Sequence, residues 1–273
     1  MSQAGRGARD ALTLAALAVY AVPVFWQFLT SLRPEMELLR VPPLLPSRVT
    51  LEHYRVVLEQ SPIPRALANS LGVATLTTLL ALAVGLPGAY AVARLPVPGK
   101  RLLLLAIVAS TAFPQIATVS PLYLLMRALD LRDTWAGLVL AHASFALPLT
   151  VWLLAGFVRE IPLEAEEAAS VDGAGTVATF RWVVVPLLSP GLASTALLTF
   201  LSSWNEFLFA YTFTASEVSR TLPVALALFP GVYEVPWGDI AAASMLASLP
   251  PTLIVVGLQR FLVRGLLAGA LKE

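Results

Sequence analysis

The chain has no cysteine and only two histidines, His53 and His142. The first absence excludes disulfide frameworks, thiolate-bound zinc and cysteine nucleophiles, and the second leaves little for a histidine-based metal site. Charge is scarce too. Asp, Glu, Lys and Arg together make up 13% of the 273 residues, against about a quarter in an ordinary globular protein. So few charged groups cannot coat a fold against water. The net charge of +1 supplies no basic stripe for nucleic acid. No glycine-rich phosphate loop followed by lysine occurs, so ATP has no binding motif in this chain.

What is present in excess is apolar surface: 58% hydrophobic residues and a mean hydropathy of +0.78. That excludes disorder and makes membrane lipid the solvent. Six charge-free runs, 11–32, 66–93, 102–126, 134–158, 182–205 and 240–259, each reach the roughly 20 residues a spanning helix needs. The first lacks an evident small-residue cleavage site and is read as a span, not a signal peptide. The fifth is expected to continue past Glu206 through residues 207–216. A seventh apolar stretch, 221–233, is short and broken by Pro223, Pro230 and Gly231, and is read as an outer loop with some buried contact. The expected fold is therefore all-α and polytopic, with six transmembrane helices. Residues 1–65 hold the first span and a proline-rich outer loop, with a short helix over 50–60. Residues 66–273 form the core.

Orientation follows from Lys and Arg. With the N-terminus inside, ten of them face the cytoplasm and eight face outward; five of those eight sit in the loop 33–65, beside four glutamates. Setting that loop aside gives ten against three, so both termini are expected to be cytoplasmic.

Polar residues inside the spans are few. A carboxylate at the bilayer centre costs about 2.5–3.5 kcal/mol on insertion scales, so Glu206 must face the bundle or a cavity. Two roles are open to it: lining a pathway, or anchoring a neighbouring helix. His142 is expected to hydrogen-bond across a helix interface. Gln115, next to Pro114, is expected to do the same, the alternative being a cavity at a helix break. Ala81, Gly85 and Ala89 at four-residue spacing predict close helix packing. A self-sufficient secondary transporter using Glu206 and His142 as a relay lacks an evident inverted repeat. An intramembrane enzyme lacks a nucleophile–base constellation.

The most informative segment is the loop at 159–186, REIPLEAEEAASVDGAGTVATFRWVVVP. Pro162 suits a first helical position. Glu164, Glu166 and Glu167 follow where the positive end of a helix dipole favours carboxylates. Asp172-Gly173 closes the helix, since glycine accepts the left-handed conformation a C-terminus needs. A second helix is expected from Ala174, kinking at Pro186. Small Ala168, Ala169, Gly173 and Gly175 let another surface approach the backbone. The loop is acidic, whereas a helix lying on headgroups favours Lys and Arg, so a protein contact is the better reading.

Glu167-Ala168-Ala169, three residues, then Gly173 and the Val183–Pro186 stretch resemble the EAA loop of binding-protein-dependent ABC importers, with Val183 and Val185 where isoleucine and leucine are usual. Trp204-Asn205-Glu206-Phe207 resembles the WNEF signature of sugar-permease subunits. The tail from Gln259 to Ala270, Asn69-Ser70-Leu71 and Pro121-Leu122-Tyr123 are similar to the second permease of maltose-type systems. The resemblance runs from about Val49 to the C-terminus. It implies the type I ABC importer permease fold and a sugar permease without catalysis of its own, in a bacterial or archaeal inner membrane.

It further implies a second permease subunit, two ATP-binding subunits that handle ATP and Mg, and an external sugar-binding protein. By the same resemblance Glu164, Glu167, Ala168, Ala169, Asp172, Gly173 and Gly175 couple to the ATPase. Trp204, Asn205, Glu206 and Phe207 lie on the sugar pathway. Tyr233 and Trp237 meet the binding protein, and the tail reaches between the ATPase subunits. Glycerol phosphate or a polyol stays open beside maltose, trehalose or another oligosaccharide as the cargo.

Overall fold

The computed structural model describes residues 3–39, 44–229 and 235–270, and every regular element among them is helical. The chain divides into two compact units, Met1–Pro64 with Ala225–Leu249, and Arg65–Val224 with Pro250–Glu273.

The first unit opens with α1 (Gln3–Ser31), followed by α2 (Glu35–Leu38) and α3 (Glu52–Gln60). α3 is the short outer-loop helix expected from the spacing over 50–60. His53 on α3 is buried: its Nδ1 lies 2.6 Å from Asp239 Oδ1 and its Nε2 lies 2.9 Å from the Arg33 carbonyl. Ser31 and Tyr54 share a hydrogen bond of 2.8 Å, and the Arg33 guanidinium sits 4.5 Å from the centre of the Trp26 ring. From Leu12 to Thr30 no residue of α1 is buried within the chain. That surface is stable only against lipid or another protein.

The second unit is built on α4 (Ile63–Arg94) and α7 (Trp135–Glu160), both long and apolar enough to cross a membrane unbroken. They pack closely. Ala81 and Ala89 are fully buried, and a Cβ on Gly85 would come within 2.8 Å of Thr150 Cγ2 on α7, so the small-residue stripe is the packing seam it was expected to be. One apolar cluster gathers Val73, Leu138, Phe209 and Phe213; a second gathers Tyr90, Leu154, Val158, Val184 and Leu188.

The runs 102–126 and 182–205 were expected to be single spans, and here the structure differs. The third run is two helices, α5 (Lys100–Thr111) and α6 (Gln115–Ala128), bent by 93°. Pro114 has no N–H to donate and disfavours helical geometry at Phe113. Ser110 and Thr111 hydroxyls donate to carbonyls three residues back, at 2.7 Å each, beside the break. The fifth run falls within a series of helices, α9 (Thr176–Thr179), a π-helical turn Phe180–Val184, α10 (Val185–Leu187) and α11 (Ser189–Trp204), with a bend of 76°. The expected kink at Pro186 is absorbed as the wide π turn ahead of it, and the sharp bend falls at Leu188, just before Pro190. Among the described residues, four uninterrupted helices are long and apolar enough to cross a membrane, and the count reaches the expected six if each bent pair is one span.

Span five also does not continue through Glu206. α11 stops at Trp204, and α12 (Leu208–Phe213) starts anew. α13 (Leu222–Ala227) then supplies buried Leu222, Val224 and Ala225 within the stretch read as a partly buried loop, and α14 (Trp237–Ala270) carries the last span.

Asn69 ties α4 to the segment between α12 and α13. Its Nδ2 donates to the carbonyls of Val218 (3.0 Å) and Arg220 (2.9 Å), and its Oδ1 accepts from Trp135 Nε1 at 3.1 Å. Ser70 Oγ accepts from the Leu222 N–H at 2.8 Å. Asp133, in a left-handed conformation (φ 57°) between α6 and α7, pins the same segment. It accepts from Ala215 N–H (2.9 Å), Ser216 N–H (3.1 Å), Ser216 Oγ (2.6 Å) and the Ser219 hydroxyl. Burial alone would raise its pKa; the hydroxyls of Ser216 and Ser219 and the two N–H groups outweigh that and hold it at about 2.

Because Asp133 titrates below its ordinary value of 3.8, the folded form favours the ionised carboxylate. Its stabilisation is complete above the ordinary value and fades as pH falls toward about 2. Hydrogen-exchange protection at residues 215–219, measured against the intrinsic rate at each pH, should therefore fall across that acid window, and Asp133→Asn should show the lowered protection already at neutral pH.

Candidate functional site

Two assemblies of polar residues stand out in the second unit. The first is the knuckle between α7 and α9. α7 ends at Glu160, Ile161 and Pro162 turn the chain in extended conformations, and α8 (Leu163–Val171) begins with Pro162 as its N-cap. Glu164 and Glu166 occupy its first turn. The helix closes as the sequence requires: Asp172 and Gly173 donate N–H groups to the carbonyls of Ala168 (3.0 Å) and Ser170 (3.1 Å), and Ala174 donates to Ala169 (2.9 Å). Gly173 carries φ of +85°, a conformation in which any side chain is strained. The second helix starts at Thr176 rather than Ala174, with Gly175 as its N-cap.

Glu164, Glu167, Ala168, Asp172, Gly173 and Gly175 are exposed, and Ala169 is half-buried. Three apolar side chains stand out beside them: Leu163 at 55% exposure, Val171 at 88% and Val177 at 79%. These three were not singled out in the sequence. Their isolation among acidic residues was a signal, but only the fold shows that none of them turns inward. Glu166 is the exception on α8. It reaches Arg94 and Tyr90 at the end of α4, a contact its position in the first turn does not reveal.

The second assembly surrounds the break at residues 205–207. His142 on α7 is buried, with Nδ1 2.7 Å from Ser203 Oγ and Nε2 3.0 Å from Glu206 Oε2. The Glu206 carboxylate also accepts the N–H groups of Phe209 (2.8 Å) and Ala210 (3.1 Å), which α12 would otherwise leave unsatisfied at its start. Glu206 thus anchors helix ends, and it also faces a cavity of about 330 Å³ shared with Gln115, His142, Phe145, Asn205 and Phe207. Gln115 lines this cavity beside the α5–α6 bend instead of making the interhelical bond expected of it. Asn205 closes α11 by donating to the Leu201 carbonyl at 2.8 Å. Phe207 stacks on Tyr211 with ring centres 5.4 Å apart.

Trp204 is not with them. It is buried and stacked on Phe200, 5.7 Å between centres, and does not line the cavity. Trp237, in the other unit, is exposed at the start of α14. Tyr233 lies outside the described residues, as do the side chains of the tail beyond Gln259.

A chain of broken apolar spans, with a polar cavity at one break and an exposed knuckle between two others, has the build of a membrane transport component. Residues 78–268 match the family described as the binding-protein-dependent transport system inner membrane component, and the chain belongs to that family. It is 43% identical to the trehalose transport system permease protein SugB of Mycobacterium tuberculosis, over 97% of this chain and 99% of that protein. It is 36% identical to the trehalose/maltose transport system permease protein MalG of Thermococcus litoralis, over 92% of this chain and 91% of that one. Among solved structures, a chain of a bacterial ABC transporter involved in the import of alginate superposes with a TM-score of 0.82 at 24% identity, covering 96% of this chain and 99% of that one. The fold is that of a type I ABC importer permease, and the chain is a transport component rather than an enzyme.

Removing the Glu206 carboxylate strands two buried N–H groups and leaves Nε2 of His142 without its partner. Each stranded buried group costs about 1–3 kcal/mol, so Glu206→Ala should lower the thermal unfolding midpoint of the detergent-solubilised protein well beyond Glu206→Gln, which keeps one carbonyl acceptor.

Proposed function

We propose that this chain is one of two permease subunits of an ATP-driven sugar importer, carrying a disaccharide or oligosaccharide such as trehalose or maltose. A sugar-binding protein delivers the cargo at the outer face, and two ATP-binding subunits act at the inner face. The chain itself binds no cofactor; ATP and Mg belong to the ATP-binding subunits. The observation that carries this reading is the knuckle: a helix with exposed acidic and apolar residues, closed by a positive-φ glycine, on a chain of this family. The sugar class draws its support from the names of the two relatives.

Both termini are cytoplasmic in this reading, as the excess of Lys and Arg on that side favours, and the knuckle then faces the ATP-binding subunits. Leu163, Val171 and Val177 supply the apolar contact, with Glu164 and Glu167 as charged partners. Ala168, Ala169, Asp172, Gly173 and Gly175 keep the surface close to the backbone. Asn205, Glu206 and Phe207 line the sugar path, with Gln115 and His142 on the same cavity. Trp204 supports that turn from behind. Trp237 and Tyr233 form the contact with the binding protein.

Reconstitution with the partner subunits tests this. Gly173→Pro forces φ toward −65° where the fold needs a positive value, and Glu167→Lys reverses an exposed charge. Each should abolish sugar uptake while leaving the chain in the membrane. Sugar-stimulated ATP hydrolysis at the ordinary rate in either variant overturns the coupling role of the knuckle.

A further inference from the structure

No residue of α8 is buried, so packing alone holds it weakly. A helix joined to the rest only at its two ends keeps a freedom of rotation about the line between them. An off-axis contact removes it. Glu166 makes that contact. Arg94 Nε, in the last turn of α4, donates to Glu166 Oε1 at 2.6 Å, and a terminal nitrogen of Arg94 donates to the Ile161 carbonyl. Tyr90, one turn earlier, donates its hydroxyl to Glu166 Oε2 at 3.0 Å and sets its ring 5.1 Å from Phe180 in the π turn. The end of α4 thus grips the turn before α8, the first turn of α8 and the segment after it. The ion pair is well shielded, at 11% and 12% side-chain exposure, and the cation sits where the negative end of the α4 dipole favours it.

We infer that Arg94 and Glu166, seconded by Tyr90, are positioning residues that lock the knuckle to α4, so that a displacement of α8 moves this span instead of being lost in rotation of α8. The inference rests on the coupling role given to the knuckle above. It assigns transmission to Glu166, which faces inward, and docking to the exposed Glu164 and Glu167.

The test uses the complete transporter in proteoliposomes and reads sugar moved per ATP hydrolysed. Arg94→Glu and Glu166→Arg should each lower that ratio by about fivefold or more while the ATP-binding subunits still co-purify. The exchanged pair, Arg94→Glu with Glu166→Arg, should exceed both single variants. An unchanged ratio in the single variants, or an exchanged pair no better than either, overturns the inference. Should the charge reversals fail to reach the membrane, Glu166→Gln decides instead: a lowered ratio supports the lock, and an unchanged one refutes it. Glu167→Lys separates the two claims. If it leaves coupling intact, the role of the knuckle itself fails; if it uncouples while Arg94→Glu does not, only the lock fails.

Discussion

Inside a bilayer no water completes the hydrogen bonds of an interrupted backbone, and each break in a span must be closed by the chain itself. That constraint accounts for much of the polar chemistry here. At the bend before Pro114 the hydroxyls of Ser110 and Thr111 turn back onto the preceding carbonyls. At the break after Trp204 the Asn205 amide closes one helix and the Glu206 carboxylate opens the next. A carboxylate in that position needs compensation, which His142 supplies, and His142 is in turn oriented by Ser203. The cavity at the break follows from the same arrangement: residues that cap helix ends are the ones left facing open space.

The knuckle obeys the opposite rule. Outside lipid its exposed groups can be satisfied by water, so α8 needs no core and has none. Its definition comes from its ends, where Pro162 and Gly173 set the turns, and from one inward contact through Glu166. In the coupling role proposed for it, surface on nearly every side and a single strong tether let α8 meet another protein and still hold its shape.

How much of this could be read without coordinates depends on distance along the chain. Charge-free run length located the apolar segments, because lipid acts on composition. It could not reveal that two of them are sharply bent, since a run has no direction; the signals were Pro114 and Pro190, and attention to Pro186 drew the expected kink to the wrong turn. The boundaries of α8 were legible to within a residue from Pro162 and Gly173, local features with local causes. The partners of Glu166 were not, because Arg94 lies 72 positions away. Glu206 left two roles open for the same reason; its anchoring of helix ends is visible only once His142 and the start of α12 are placed beside it. Trp204 shares a motif with its neighbours but points into the core at Phe200, a difference that adjacency in sequence conceals.

The first span has a freedom that the others lack. Since none of its apolar window is buried by the rest of the chain, its side chains can drift among aliphatic and aromatic shapes without opening a void in the protein's own core. It is the portion of the molecule on which adaptation to a thicker bilayer, or to a different neighbour, can proceed by substitution alone, leaving α4, α7 and the tethered knuckle unaltered.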